Sequence, residues 1–593
     1  MMTGWGRFQG YNIASLRKDI ISGTIVGVIA IPLGMAFAIA SGVKPEYGIY
    51  TTIVAGILIS LFGGSKFQIG GPTGAFIPIL FAIAMEYGYE NLLIAGMMAG
   101  VILVVMGLLR LGVLIKFIPK PVTIGFTAGI AVIIFTGQIG NFLGLKGIKR
   151  HEAFIDNMKE LGMHISTVNL YSVLTAAICF AVVVLGLRFA PKIPGSLVGL
   201  LCASVVAALF FSGKVTTIGS AYGDIPNTLP SFHFPVITWE RIRHLLRPAF
   251  VIAMLGAIES LLSAVVADGM SGSRHNSNRE LIGQGIANIA APMFGGIPAT
   301  GAIARTATNI RSGAASPLSG VIHGVVVFLI LLLFAPYASS IPLAAMAPIL
   351  MVVAWNMSER KQFLQLLKLG TGDSLVLAIT FLLTVFADLT VAVEVGLVLA
   401  VILFVKRMGE THLVAKVLPD PASVKVAAHM VTDSHDCPQI GIYNVEGPLF
   451  FGAAYRFNDT MPELGPGQAK LIILRMGKVP FIDTTGEANL AELVKQLQAD
   501  GGKLMITGAQ PQPYDLLKRT GLYDKIGAEH FFDHTGDAIN AALGMIHTDR
   551  CAGCRHAAFR ECAALSGIEE VPGRGVFKGR KPAVSGKLSS GIQ

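Results

Sequence analysis

The chain has 593 residues, of which 53% are hydrophobic and only 14% charged, with a formal net charge of +10. Soluble chains carry nearer a quarter of their residues charged, so a mean hydropathy of +0.64 makes lipid the solvent for much of this protein and excludes an ordinary soluble one. The positive charge is no nucleic-acid signature, because it falls in loops between apolar runs and in the tail (Arg574, Lys578, Arg580, Lys581, Lys587), and six scattered cysteines make no extracellular disulfide framework.

A basic N-terminal segment, residues 1–19 with Arg7, Arg17 and Lys18, leads into an apolar run without a small-residue cleavage site. It reads as a retained first span. Apolar runs at 20–40, 48–63, 70–85, 93–110, 121–143, 170–187, 195–212, 249–267, 280–294, 298–310, 317–335, 341–356, 374–388 and 391–406 predict about fourteen helical spans in a transport region of 20–408, some of them short. With the N-terminus inside, the even connections are cytoplasmic. They hold Lys66; Arg110, Lys116 and Lys120; Arg188 and Lys192; Arg274 and Arg279; Arg311; and Arg360, Lys361 and Lys368. The odd connections near 86–92, 295–297, 336–340 and 389–390 hold no Lys or Arg, as the positive-inside rule expects. Two odd loops, 146–169 and 213–248, are basic, but long loops obey the rule weakly. The second ends in TWERIRHLLRP, which reads as an amphipathic segment along the bilayer surface. Both chain ends are therefore expected in the cytoplasm, with the protein in the cell membrane.

After a linker at 409–437, the composition becomes that of soluble protein. Within 438–548, AKLIILRM (469–476) predicts a strand, ANLAELVKQLQAD (488–500) a helix and KLMITG (503–508) the next strand, together a βαβ unit. Thr484 and Glu487 have capping-box spacing at the start of that helix. The basic tail, 549–593, holds Cys551, Cys554, His556 and Cys562, with His547 just before them. A zinc site or a redox pair is conceivable, but no second CxxC accompanies the first, so the tail cysteines read as unligated and no metal or cofactor is expected.

Comparing the chain with itself exposes a repeat. Residues 70–76 read GGPTGAF and residues 295–303 read GGIPATGAI, each a Gly pair, a Pro and then Thr-Gly-Ala opening an apolar stretch. Seven expected spans separate the two, so the second half enters the membrane from the opposite face, as in inverted-repeat transporters. Pro72 and Pro298 suit a first helical turn. From Pro72 to Met85 is about 14 residues, or about 21 Å, short of the roughly 30 Å hydrocarbon core. Each segment therefore reads as a half-helix starting near the midplane, and two such N-termini aim free N–H groups and dipoles at one spot suited to an anion.

At these residues the chain resembles the sulfate permease family of anion transporters, related to the solute carriers that include prestin and pendrin. IPLGMAFA (31–38), GIYTTIVAGILISLFGGSKFQIGGPTGAF (48–76) and VADGMSGSRHNSNRELIGQGIAN (266–288) carry the resemblance, which covers about residues 10–550. It implies an all-α polytopic membrane domain of seven-plus-seven inverted helices like that of uracil permease, with core and gate parts. It also implies a C-terminal α/β STAS domain, homodimers, and transport of sulfate, bicarbonate, chloride, oxalate or dicarboxylates rather than enzymatic catalysis. By motif position, Phe37, Thr73 and Gly74 line the anion site with Thr300, Gly301, Ala302 and Ile303, and Arg305 is a basic residue near it. Glu259 and Ser263, four apart on one helix face, match the sodium-holding pair of bicarbonate-carrying relatives. Leu33 stands where many members have Gln. Glu259 stands where sodium-coupled relatives have Asp, and Ile303 where they have a hydroxyl, which turns the coupling from sodium toward a proton.

Glu259 lies among apolar turns, and an intramembrane carboxylate is costly enough to be functional by default. Arg305 can complement substrate charge, pair with Glu259, or snorkel to the cytoplasmic surface beside Arg311. Asp268, Asp388 and Glu394 read as interfacial. Thr484 in FIDTTGE (481–487) matches the phosphorylated position of anti-sigma-factor antagonists, or is simply a helix cap. The expected function is secondary active transport of a small anion, sulfate or bicarbonate, coupled to H+ or Na+. Exchange or dicarboxylate transport, an anion channel, a nucleobase permease of the same general fold, and a membrane-anchored regulator binding a cytoplasmic partner through its STAS domain are the alternatives.

Overall fold

In lipid a backbone must satisfy its own hydrogen bonds, so the apolar runs fold as helices. The computed structural model describes residues 5–8, 11–113, 119–189, 195–228, 231–387, 389–410, 413–420, 425–432, 435–452, 470–552, 554, 556, 558–559, 561–562 and 565. They form two units, divided between Ala400 and Val401.

In chain order the first unit contains α1 (Ile13–Ala40), α2 (Pro45–Phe62), β1 (Gly70–Gly71), α3 (Ile77–Tyr87) after a short 3-10 turn at Gly74–Phe76, α4 (Tyr89–Leu108), α5 (Lys120–Gly137), α6 (Ile139–Leu143), α7 (Phe154–Met163), α8 (Leu170–Phe189), α9 (Gly195–Phe210), α10 (Ile218–Tyr222), α11 (Trp239–Ser271), α12 (Ser277–Met293), β2 (Thr300–Gly301), α13 (Ile303–Arg311), α14 (Leu318–Ala338), α15 (Leu343–Met357), α16 (Arg360–Lys368), α17 (Gly372–Phe386) and α18 (Leu389–Glu410), the last crossing the division. Each expected span falls on one of these helices, except 121–143, which is divided between α5 and α6. By length and composition, Ile13–Ala40, Pro45–Phe62, Tyr89–Leu108, Lys120–Leu143, Trp239–Ser271 and Leu318–Ala338 can cross a membrane alone. TWERIRHLLRP is not a separate surface segment. Thr238 caps Arg241 N–H and the helix runs unbroken from Trp239 through Pro248 to Ser271.

Without a hydrophobic force between helices in lipid, close packing rests on small residues. A Cβ on Gly48 would lie 1.9 Å from the Gly34 carbonyl oxygen, and one on Gly285 would lie 2.5 Å from that of Gly100. The α1–α2 and α4–α12 contacts therefore require glycine.

The second unit contains β3 (Leu413–Lys416), β4 (Leu418–Asp420), β5 (Lys425–Ala427), β6 (Ile440–Glu446), β7 (Leu471–Lys478), α19 (Thr484–Ala499), β8 (Lys503–Thr507), α20 (Pro511–Arg519), α21 (Leu522–Ile526), β9 (Phe531–Phe532) and α22 (Thr535–Leu543). One sheet has the order β3-β6-β7-β8-β9, with β3 antiparallel and the other pairs parallel. The expected βαβ unit is β7-α19-β8. Residues alternate along β7: Ile472 and Leu474 pack with Leu490 and Val494 of α19, whereas Leu471 and Ile473 pack with Ile539 of α22 and Phe559. Two sequence boundaries shift. The expected linker contributes β3 to the sheet, and the tail's Ala558 and Phe559 belong to the core. The capping box also fails. Asp483 is the N-cap, accepting from Gly486 N–H at 2.8 Å, and Thr484 is the exposed first helical residue.

Candidate anion site

The two repeat motifs meet backbone to backbone. Gly70 pairs with Gly301 and Gly71 with Thr300 in an antiparallel register. Beyond this crossing the chain turns into the 3-10 turn and α3 on one side and α13 on the other. Neither segment is an unbroken span. The prolines stand elsewhere than expected: Pro72 and Pro298 lie in the extended stretches, and Pro78 occupies the first turn of α3. An extended approach lets the strands pair and delays each helix start, so α13 is only 9 residues long.

At its glycines the crossing is tightly packed by neighbouring side chains. A Cβ on Gly301 would stand 1.8 Å from Gln68 Nε2, and one on Gly70 2.1 Å from Ile59 Cδ1. Gly71 adopts φ 149°, and a Cβ there would meet Arg305 Nη1 at 2.6 Å. Side chains clamp the rest of the crossing. Asn288 of α12 donates to Ala299 O and accepts from Ala299 N, both at 2.8 Å. The Ser260 and Thr300 hydroxyls are 2.8 Å apart, and Gly301 N–H donates to Ser260 Oγ at 3.1 Å. On the helix after β2, Thr306 Oγ1 accepts from Ile69 N–H at 3.0 Å and from Ser263 Oγ at 3.3 Å.

Most of the residues singled out in the sequence converge here. Thr73 precedes the first helical turn with its hydroxyl buried and unpartnered. A Cβ on Gly74 would have Ile134 of α5 at 3.4 Å, Met357 of α15 at 3.5 Å and the Phe37 ring of α1 at 3.7 Å. Ala302 caps α13, while Ile303, in its first turn, is exposed. The first N–H groups of both helices have no helical acceptor, so positive backbone dipoles point toward this region from two sides.

Arg305 neither snorkels nor pairs with Glu259. It is the third residue of α13, 3% exposed, with Nη2 donating to Pro72 O and Nη1 buried without a partner. It forms no ion pair among the described residues. Glu259 lies on α11, one residue before Ser260, buried and with no hydrogen bond or ion pair among the described residues. Asp268 accepts from the N–H and Nδ1 of His275, and Glu394 is exposed opposite Arg247 at 4.0 Å. Asp388 lies outside the described residues, and Thr484 is in the other unit.

Two residues escaped the sequence reading. Gln68 is buried beside Gly301 with both amide atoms unpartnered, and His323 of α14 is fully buried with both ring nitrogens unpartnered. A single amide or imidazole in an apolar run has no spacing partner. Its only signal is polarity where lipid or core is expected.

The sulfate permease family model matches residues 16–380, and the STAS domain model matches 432–538. The chain belongs to the sulfate permease family. Among its relatives is the Bacillus subtilis protein named "Putative sulfate transporter YvdB", 56% identical over 529 residues, 89% of this chain and 98% of that protein. The bicarbonate transporter BicA of Picosynechococcus is 29% identical over 552 residues, covering 90% and 95% of the two chains. Among solved structures, the murine anion transporter Slc26a9 in the inward-facing state shares the fold at TM-score 0.82 and 18% identity, covering 91% of this chain and 93% of that one. The transmembrane domain of cyanobacterial BicA matches at TM-score 0.56 and 31% identity, covering 66% of this chain and 98% of that one. This sulfate permease family member is thus a multi-pass membrane transporter of anions and not an enzyme.

Proposed function

We propose that the protein carries sulfate or bicarbonate across the cell membrane by alternating access, coupled to a proton bound at Glu259. The observation that carries this reading is the Gly70–Gly71/Thr300–Gly301 strand pair, which brings two helix starts together at one place. The anion is held by N–H groups of Gly74 and Ala75 from one start and of Ile303 and Ala304 from the other. The Thr73 hydroxyl adds a donor, and Phe37 closes the apolar side. Arg305 supplies positive charge from behind the strand pair.

Glu259 suits the coupling role because it is a buried carboxylate with no partner among the described residues, and α11 carries it on the same helix as Ser260, which touches β2. Ile303 offers no oxygen to a cation, which supports a proton over sodium. The names of the relatives support both anions, YvdB being named for sulfate and BicA for bicarbonate. Both termini are cytoplasmic in this reading, the working unit is a homodimer, and Thr484 is an exposed site for a regulatory phosphate or a cytoplasmic partner.

Purified protein in proteoliposomes tests it. An inward proton gradient should drive accumulation of radiolabelled sulfate or bicarbonate, and a sodium gradient should not. Glu259→Gln should abolish the pH-driven accumulation yet retain anion counterflow. Normal accumulation by that variant would remove the coupling role.

A further inference from the structure

The second unit gathers four thiols from distant parts of the chain. Cys437, just before β6, lines one cavity with Cys551, Cys554 and Cys562 of the C-terminal segment, and His556 lines it too. Cys437 is within electrostatic reach of Cys551 and Cys554, and Cys562 is within reach of all three. The cavity's volume is about 20 Å³, and about 10–15 Å³ on the same measure holds a water molecule. It therefore has room for one small ion and no organic ligand. All four cysteines are free thiols, each partly buried.

We propose that these four cysteines bind a zinc ion in a closed, structural site made of thiolates alone. Zinc favours four thiolates in a tetrahedron, a geometry that a CxxC and two separate cysteines can supply. Hydrogen-bond donors surround the sulfurs, while burial pushes the Cys437 and Cys562 thiols up, so the ion itself has to displace their protons. The backbone N–H groups of Gln439 and Ile440 face the Cys437 sulfur, and Gln439 Nε2 donates to Cys551 Sγ at 3.4 Å. The Gln439 amide also holds the His547 backbone, its Oε1 accepting from the N–H at 3.0 Å and its Nε2 donating to the carbonyl at 3.2 Å, which fixes the approach of the C-terminal segment. Cys554 N–H closes a turn onto Cys551 O at 3.0 Å, setting the CxxC pair as a hairpin of ligands. Among the described residues no three such side chains already stand in a ligating arrangement, so the ion draws the sulfurs in as each thiol releases its proton. Phe559 and Ala558, between the ligands, already pack on the sheet. The ion fastens the 551–562 segment to the start of β6, completing a clasp that the apolar contacts begin.

Elemental analysis of the full-length protein, purified without chelator, tests this. About one zinc per chain is expected, and Co2+ added to the metal-free protein should give the absorption bands of tetrahedral thiolate coordination. Cys437→Ser and Cys554→Ser should bind zinc roughly 100-fold more weakly. Cys562→His, which keeps a ligand, should retain it, and Cys202→Ser, on α9 and outside the cluster, should bind like the parent. The proposal is overturned by metal-free protein that takes up neither Zn2+ nor Co2+, by parental binding in Cys437→Ser, or by a Cys551–Cys554 disulfide in the protein as isolated. Comparing Cys562→Ser with Cys562→His separates ligand loss from misfolding.

Discussion

At the scale of single residues, the crossing depends on what is missing. Gly301 is valuable for its lack of a Cβ, since Gln68 Nε2 occupies that space at 1.8 Å. Gly301→Ala should cost about 1–3 kcal/mol through overpacking and lower anion uptake at least about tenfold, measured as initial rates in proteoliposomes against protein surviving solubilisation. Arg305 is a buried charge with no carboxylate opposite it among the described residues. Truncating it to Gln removes both the charge and the reach to the Pro72 carbonyl. An increase of about tenfold or more in KM for the anion is expected, the cost of losing a charged donor near bound charge. Thr300 and Gly301 were legible because a motif repeated itself, and Arg305 through the family resemblance. Gln68 and His323 were not, because solitary polar side chains are revealed only when packing shows them buried and unpartnered.

At the scale of elements, the half-helices were legible from their length, but their starts were not. Proline's preference for a first helical turn lost here to strand pairing, which holds Pro72 and Pro298 in extended backbone. The clamp by Asn288 explains why the stretch just after Pro298 stays extended. It satisfies both backbone groups of Ala299 that a helix would otherwise use. Asn288→Ala leaves those groups buried and unpaired and should destabilise the protein by about 1–3 kcal/mol, visible as a lowered thermal unfolding temperature in detergent. In the second unit, the cap of α19 moved one residue from the expected Thr484 to Asp483. Asp483→Ala should cost about 1 kcal/mol, whereas Thr484→Ala should leave stability nearly unchanged, both measured in the full chain.

At the scale of the whole molecule, hydropathy alone separated a membrane part from a soluble part, because each solvent demands its own surface. It could not find β3 in the expected linker, since four residues of strand carry little pattern. Nor could it see Cys437 join Cys551, because nothing local links positions so far apart. All residues placed at the anion site lie in the first unit, between Phe37 and Arg305. A chain truncated after Glu410 should therefore keep anion-dependent thermal stabilisation within a factor of about 3 in apparent affinity. Loss of that stabilisation would mean that the soluble unit is needed for binding itself.

The short ladder between Gly70–Gly71 and Thr300–Gly301 has one more effect. It stitches the two helix starts into a single block, so in the proposed mechanism cargo is not freed by prising those starts apart. Ile134 of α5 and Met357 of α15 stand beside Gly74 without being joined to that ladder. Under the proposed alternating access, the site would open on that side, with α5 and α15 moving past a strand pair that keeps its shape.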